Sequence, residues 1–364
     1  MTRESGTGTL RAGLWLNRAD RSRYQIPADP RTWVDRSAPN FSETYITTTL
    51  QPYVEYEFKF GDSLKRTPGL KYASYKQDFV HLKDNGGAVG PLSGVYSAAT
   101  GVIIGGAASL ANSITCTDLL PSLDLHDKLA PNWTAYAQLA AGDQIPSTSV
   151  FDVKDAKVSP APKATKTKTG QVGTVWQSAQ MSLAADVHHT KLDGAYTPLS
   201  PDANGNVGYV LSGTQVTQSV EAEASFALGK GLSAYANATL GSLKHTSGAI
   251  SGQWLAGAPK DTQALGLNYQ QGAWAANISA HRVGRMYSDD KAGVHQAFVI
   301  DLVVLTPLFV NYKGKSPVAF AKQARLQLGI NNLMNQRSIV GIASSASRRP
   351  PPAAAVPSRP RLIC

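Results

Sequence analysis

The chain has 364 residues, 42% of them hydrophobic and only 16% charged, with 35 Lys plus Arg against 25 Asp plus Glu for a formal net charge of +10. So much apolar content with so little charge excludes a mainly disordered chain, and no apolar run reaches the roughly 18 residues of a helical membrane span. Two cysteines, Cys116 and the terminal Cys364, make no disulfide framework, and the opening MTRESGTGTLRAG has no apolar core of a signal peptide.

In chain order, alternation of apolar and polar residues predicts about thirteen β-strands, over 8–18, 44–60, 64–82, 113–128, 132–141, 169–178, 180–191, 207–228, 232–245, 260–270, 273–288, 296–312 and 323–333. From Val54 the order Val54, Glu55, Tyr56, Glu57, Phe58, Lys59, Phe60 puts apolar side chains on one face and charges on the other. The same alternation runs from Val220 to Leu228 and again from Leu232 to Leu240, with Gly229-Lys230-Gly231 between them as a tight hairpin. Ala264 to Tyr269 and Ala273 to Ala280 form a further pair through Gln271 and Gly272. Phe298 to Val310 (FVIDLVVLTPLFV) contains Asp301 and Pro307, so it is too interrupted for a helical span and is read as one long strand.

The connections alternate. Hairpin-length links such as Gly61 to Ser63 are followed by long stretches such as His81 to Asn112 and Asp143 to Thr169. Tight turns on one side and long loops on the other belong to outer-membrane barrels, whereas a soluble sandwich mixes its link lengths. Many of the strands exceed the usual five or six residues. Trp133, Tyr136, Trp176, Tyr235, Tyr269 and Trp274 sit near strand ends, where aromatic girdles belong. The reading is an all-β fold, an antiparallel transmembrane β-barrel whose apolar face meets lipid.

The excess positive charge sits partly in Lys154, Lys157, Lys163, Lys166 and Lys168 and partly in Arg348, Arg349, Arg359 and Arg361. No nucleic-acid motif accompanies it, so it reads as solvated charge. His188-His189 is the only His pair, and adjacent strand residues point to opposite faces, so no metal site is expected there. Gly105-Gly106-Ala107-Ala108 lacks the lysine of a phosphate loop. No nucleophile–base arrangement is present, so neither an enzyme nor a cofactor is expected.

Several stretches resemble the barrel of TonB-dependent receptors. Leu120-Pro121-Ser122-Leu123-Asp124-Leu125, followed by Leu129 to Ala137 (LAPNWTAYA), is similar to that family's "LPS…L.pnw..Ya" run. Pro162 to Gly173 (PKATKTKTGQVG) resembles its entry into a strand, Gly213 to Glu223 (GTQVTQSVEAE) its "G.E.E" strand, and Leu328 to Leu333 (LGINNL) its "v.NLf" signature. The resemblance implies an outer-membrane transporter with an about 22-stranded barrel and an N-terminal plug. It implies a ferric siderophore or similar scarce solute, and outer-membrane lipid around the wall. An inner-membrane TonB energy complex would act only on a full-length receptor.

Against that family pattern, the sequence shows no match to the plug, to the energy-coupling box or to the closing aromatic-ended strand. Residues 1–343 are therefore expected to form a partial barrel, a fragment that would not transport alone. Residues 344–364 (SSASRRPPPAAAVPSRPRLIC) are expected to be a disordered Pro-, Ala- and Arg-rich tail. A passive porin or translocator barrel and a soluble β-rich binding protein are the alternatives. Candidate ligand contacts are Arg282, Arg285 and Tyr287 beside one long loop and Tyr75, Lys76 and His81 beside another, cations among them attracting an anionic chelate. Asp143 and the lysines near Lys163 are weaker candidates.

Overall fold

The computed structural model describes residues 2–25, 31–33, 41–81, 94–97, 102–105, 110–146, 163–198, 209–211, 213–248, 250–288, 299–300, 303–315, 322–336 and 361–363. In chain order the strands begin with β1 (Thr2–Ser5), β2 (Gly8–Gln25), β3 (Phe41–Phe60), β4 (Leu64–His81), β5 (Gly94–Ser97) and β6 (Val102–Gly105). Next come β7 (Leu110–Ala130), β8 (Trp133–Gln144), β9 (Thr165–Gln177), β10 (Met181–Asp193), β11 (Tyr196–Pro198) and β12 (Tyr209–Leu211). Then follow β13 (Thr214–Gly229), β14 (Leu232–His245), β15 (Asp261–Gln271), β16 (Trp274–Val283), β17 (Met286–Tyr287) and β18 (Val299–Ile300). The last are β19 (Val303–Leu305), β20 (Leu308–Lys315), β21 (Gln323–Ile330) and β22 (Arg361–Ile363).

Among the described residues sixteen of these strands form one antiparallel sheet, ordered β1-β2-β3-β4-β7-β8-β9-β10-β13-β14-β15-β16-β20-β21-β22, with β19 also on β16. Each strand pairs with its neighbour in the chain, and three two-stranded hairpins, β5–β6, β11–β12 and β17–β18, interrupt the longer links. This is a meander, the topology of a barrel wall. Short turns close one end, and every long connection lies at the other.

Most expected strands are present and several have extended ends, although the one expected over 323–333 stops at Ile330. β2 runs on to Gln25, β3 starts at Phe41 and β7 starts at Leu110. Three expectations are corrected. The strand expected over 207–228 breaks at Gly213, whose φ of +85° ends one pairing and starts another. The strand expected over 296–312 is split at Thr306-Pro307 into β19 and β20, because proline has no N–H for the ladder; its carbonyl instead accepts from Ser279 N at 3.1 Å. The strand expected over 273–288 stops at Val283, where a Cβ on Gly284 would collide with Asp261.

Of the expected tail, 344–360 and Cys364 lie outside the described residues, and Arg361–Ile363 pair with β21 opposite Gln327–Gly329. At the other edge Thr2–Ser5, not anticipated as strand, fold back on Gly8–Arg11.

The register decides which face is which. Val172, Val187, Val220 and Leu240 stand opposite one another on β9, β10, β13 and β14, and all four are among the exposed large apolar side chains. One position over, Gln171, His188, Ser219 and Gly241 form the row on the other face. Val54 (45% exposed), Phe58 (42%) and Ala222 lie open on the apolar face, so that face is not sealed inside a dry core. The buried apolar cluster is small, Tyr45 against Phe79 with Ile114 beside them. A soluble protein would hide a surface of this size; hydrocarbon around the wall accounts for it.

Two of the six aromatics expected in a girdle are placed otherwise. Trp133 pairs with Trp176, and Trp274 and Tyr269 are exposed on the apolar face, all near the turn end. Tyr136 and Tyr235 point inward instead, because each falls on the other phase of its strand; their hydroxyls donate to Asp186 at 3.5 Å and Glu223 at 3.1 Å.

Candidate functional site

The inner face carries the chemistry. Its rows run across neighbouring strands: Gln138, Gln171, His188 and Ser219 in one, Tyr136, Gly173, Asp186 and Glu221 in the next. His188 Nδ1 lies 2.9 Å from the Ser219 hydroxyl and 3.8 Å from Glu221 Oε1. A Cβ on Gly173 would strike the Tyr136 ring, so only glycine there lets that ring lie across the strand toward Asp186. Such a surface offers donors and acceptors to a polar solute and holds them in fixed rows.

Toward the loop end, Asp143 and Lys166, in phase with outward Leu139 and Gly170, meet the inner-face residues Tyr75 and Asp118 of β4 and β7. β8 stays paired with β7 only between Ser122 and Ala130, while β4 and β7 continue together to His81 and Leu110. The freed part of β8 is tied back by side chains: Gln51 Nε2 donates to the Tyr75 hydroxyl at 2.6 Å, which donates to Asp143 Oδ1 at 3.0 Å. Lys166 on β9 reaches Asp118 on β7 at 2.9 Å. One turn higher, Arg23 Nε and the Tyr45 hydroxyl both donate to Glu43 Oε2, at 2.7 and 2.9 Å, around a carboxylate that is 2% exposed. Just before β9, Lys163 N donates to the Tyr196 hydroxyl of β11 at 2.7 Å, and burial raises that phenol above its ordinary value.

The six candidate contacts are not one site. Strand order puts β4 and β16 eight positions apart, about 38 Å along the sheet at the usual spacing. Tyr75 faces inward with Ala73 and Gln77, whereas the adjacent Lys76 faces outward with Leu70 and Tyr72, where it pairs with Asp78 at 3.1 Å. His81 ends β4 opposite Glu43 and Leu110; its side chain lies outside the described residues. Arg282 stands opposite Gln263, in phase with exposed Leu265 and Leu267, so it is on the outward face rather than in the lumen. There its Nη1 donates to Asp261 and, at 3.1 Å, to Gln263 Oε1. Arg285 O accepts from Lys260 N, and Tyr287 in β17 has Lys260 Nζ 5.2 Å from its ring centre.

Asp143, ranked low from sequence, accepts the Tyr75 hydroxyl, and Gln51, Asp118 and Glu43 were not singled out at all. Nothing local marks them, since their partners lie up to 68 residues away. Among the described residues no group of three or more His, Cys, Asp or Glu side chains is placed to hold a metal ion, and no helix is long and apolar enough to cross a membrane.

Comparison with known proteins bears on this geometry. A family model described as TonB dependent receptor-like, beta-barrel, matches residues 2–333. No curated protein is similar to the chain in sequence. Among solved structures, the ferric-catecholate import receptor Fiu from E. coli K12 superposes with a TM-score of 0.70 at 16% identity, over 94% of this chain and 50% of that one. The ferric yersiniabactin uptake receptor FyuA from Yersinia pestis gives 0.67 at 15% identity, over 95% and 49%. The copper transporter OprC gives 0.68 at 17% identity, over 95% and 52%. The chain thus spans about half the length of these receptors, and at such identities the likeness concerns the fold.

Proposed function

The chain belongs to the TonB-dependent receptor β-barrel family, whose members are transporters of the bacterial outer membrane rather than enzymes, and on that premise we propose that it is barrel wall for uptake of a ferric siderophore or a similar bulky chelate. The observation that carries the reading is the register-locked alternation of β8 to β14, apolar outside and rich in amides, hydroxyls and carboxylates inside. Rows of neutral and charged hydrogen-bonding groups suit a large polar solute that brings its own metal ligands. Two of the solved relatives are described as receptors for ferric chelates, which supports iron over other cargo, whereas the third is described as a copper transporter.

The described sheet ends in β1 and β22, which pair with no other described strand beyond β2 and β21. Bare strand edges are very unfavourable in hydrocarbon, at several kcal/mol per unpaired group. Uptake by this chain therefore requires further wall to close against those edges. Energy coupling to a TonB complex belongs to that larger assembly. Expressed alone in a strain stripped of siderophore receptors, the chain is expected to leave uptake of iron-55 catecholate chelates at background. Its membranes should hold no heat-modifiable, protease-resistant form. Recovery of both from the chain alone would overturn the fragment reading.

A further inference from the structure

The wall carries a seam between β7 and β8. Their ladder stops at Ser122 opposite Ala140, yet β7 runs on beside β4 to Leu110 and β8 runs on beside β9 to Gln144. A proline accounts for the stop. Along an antiparallel strand, successive backbone groups face opposite neighbours. Lys128 N donates to Ser63 O on the β4 side, so the nitrogens of odd-numbered residues on β7 face β8, and there Pro121 has no hydrogen to give. The next nitrogen that faces β8 belongs to Leu119, and it donates to its neighbour's side chain, Asp118 Oδ1, at 3.0 Å.

Beyond the seam the β8–β9 corner bends into the lumen. Asp143 and Lys166 belong to the outward phase of their strands, yet they reach the inward side chains of Tyr75, at 3.0 Å, and Asp118, at 2.9 Å. The backbone of Ala164, just before β9, hydrogen-bonds the Cys116 sulfur. Ala73 and Leu120, inward on β4 and β7, are buried in the same region. The bend falls on Ala140-Ala141-Gly142, small residues of the kind that serve as hinges, and a Cβ on Gly142 would meet Thr167 Oγ1 at 2.6 Å.

Asp118 supports this arrangement twice, since Oδ1 caps the bare Leu119 N and Oδ2 holds Lys166. Two features oppose it. Asp143 Oδ2 is buried with no hydrogen-bond partner among the described residues, and the β8-facing edge of β7 has lost its ladder. Continuing the register past Ser122 would set Ala141, Gly142, Asp143 and Gln144 opposite Pro121, Leu120, Leu119 and Asp118, and would return Asp143 to the outward face. Side-chain links hold one position and a longer backbone ladder holds the other.

We propose that this corner is a hinged lid with two positions. Tucked, it covers the inner wall at Tyr75, Cys116 and Asp118; zipped onto β7, it uncovers them to the lumen. The lid is a property of the wall and stands whichever solute the lumen takes.

The test uses the full chain with Cys364→Ser in dodecylmaltoside micelles, which leaves Cys116 as the sole thiol. It measures the rate of maleimide labelling beside the urea midpoint from tryptophan fluorescence. Asp118→Ala frees the β7 edge and Lys166 together and should speed labelling at least about tenfold. Pro121→Val restores an N–H toward β8 and should also speed it, with a urea midpoint no lower than the parent's, whereas general loosening would lower the midpoint. A rate in either variant equal to the parent's would overturn the lid, and so would a lowered midpoint in Pro121→Val. On oxidation, Leu119→Cys and Asp143→Cys together, with Cys116 and Cys364 changed to Ser, should form a disulfide; failure to form it would overturn the zipped position.

Discussion

At the turn end of the sheet β13 passes into β14 through Gly229, Lys230 and Gly231, all with positive φ, and the pairing closes at once with Gly229 opposite Leu232. At the loop end β7 and β8 part after Ser122, and what holds β8 is a chain of side chains from Gln51 through Tyr75 to Asp143. The backbone ladder and the bilayer specify the first end; long-range polar contacts specify the second. A substitution should therefore act through depth and backbone near the turns, and through partners near the loops.

The sharpest contrast uses one face at two heights. Ala222→Arg sets a charge within the apolar band of β13 and is expected to cost about 2–4 kcal/mol of folding free energy. Val216→Arg, six residues nearer the loops on the same face, should cost about 0–1 kcal/mol. Urea titration of the chain in micelles, followed by tryptophan fluorescence, separates the two; equal costs would dissolve the distinction between the ends.

Glycines give the next largest difference. Gly231 has a φ of +80°, and a Cβ there would strike the Gln270 carbonyl, so Gly231→Val should destabilise by about 2–3 kcal/mol. Gly252, at a φ of +87° in the β14–β15 loop, has open space around it, and Gly252→Ala should cost about 1 kcal/mol. Both are read as shifts in the urea midpoint.

Tyr75→Phe tests the loop end on its own terms. It removes the hydroxyl shared by Gln51 and Asp143 and should cost about 1 kcal/mol, with faster amide exchange in the upper part of β8 and unchanged exchange at the β13–β14 turn. The smallest effect belongs to Lys76→Gln, which breaks only the exposed pair with Asp78 and should shift stability by less than about 0.5 kcal/mol in the same titration.

The same division sets what was legible in the sequence. Strands such as 54–60 and 220–240 could be read because the bilayer demands an apolar residue at every second position, and Gly229-Lys230-Gly231 announced its own turn. Pro307 was visible, yet its effect on the ladder depended on Ser279, a partner from another strand. Arg282 was read as a ligand contact beside a long loop. Its phase with Leu265 sets it outward, where Asp261 and Gln263 satisfy it. Tyr136 and Tyr235 were taken for girdle aromatics although a one-residue change of phase turns a side chain to the other face. The loop-end network left no local mark, since Tyr75 and Asp143 are far apart in sequence and their residue types are ordinary for strands and loops.

The account depends on Ala222 and Glu223 meeting different solvents. Single cysteines at these two positions, in a chain with Cys116 and Cys364 changed to Ser, can carry nitroxide spin labels and be exposed in micelles to oxygen and to a water-soluble nickel chelate. The label at 222 should relax mainly with oxygen and the label at 223 mainly with nickel. Equal accessibility at both, or nickel preferred at 222, would contradict a wall with hydrocarbon outside and water within.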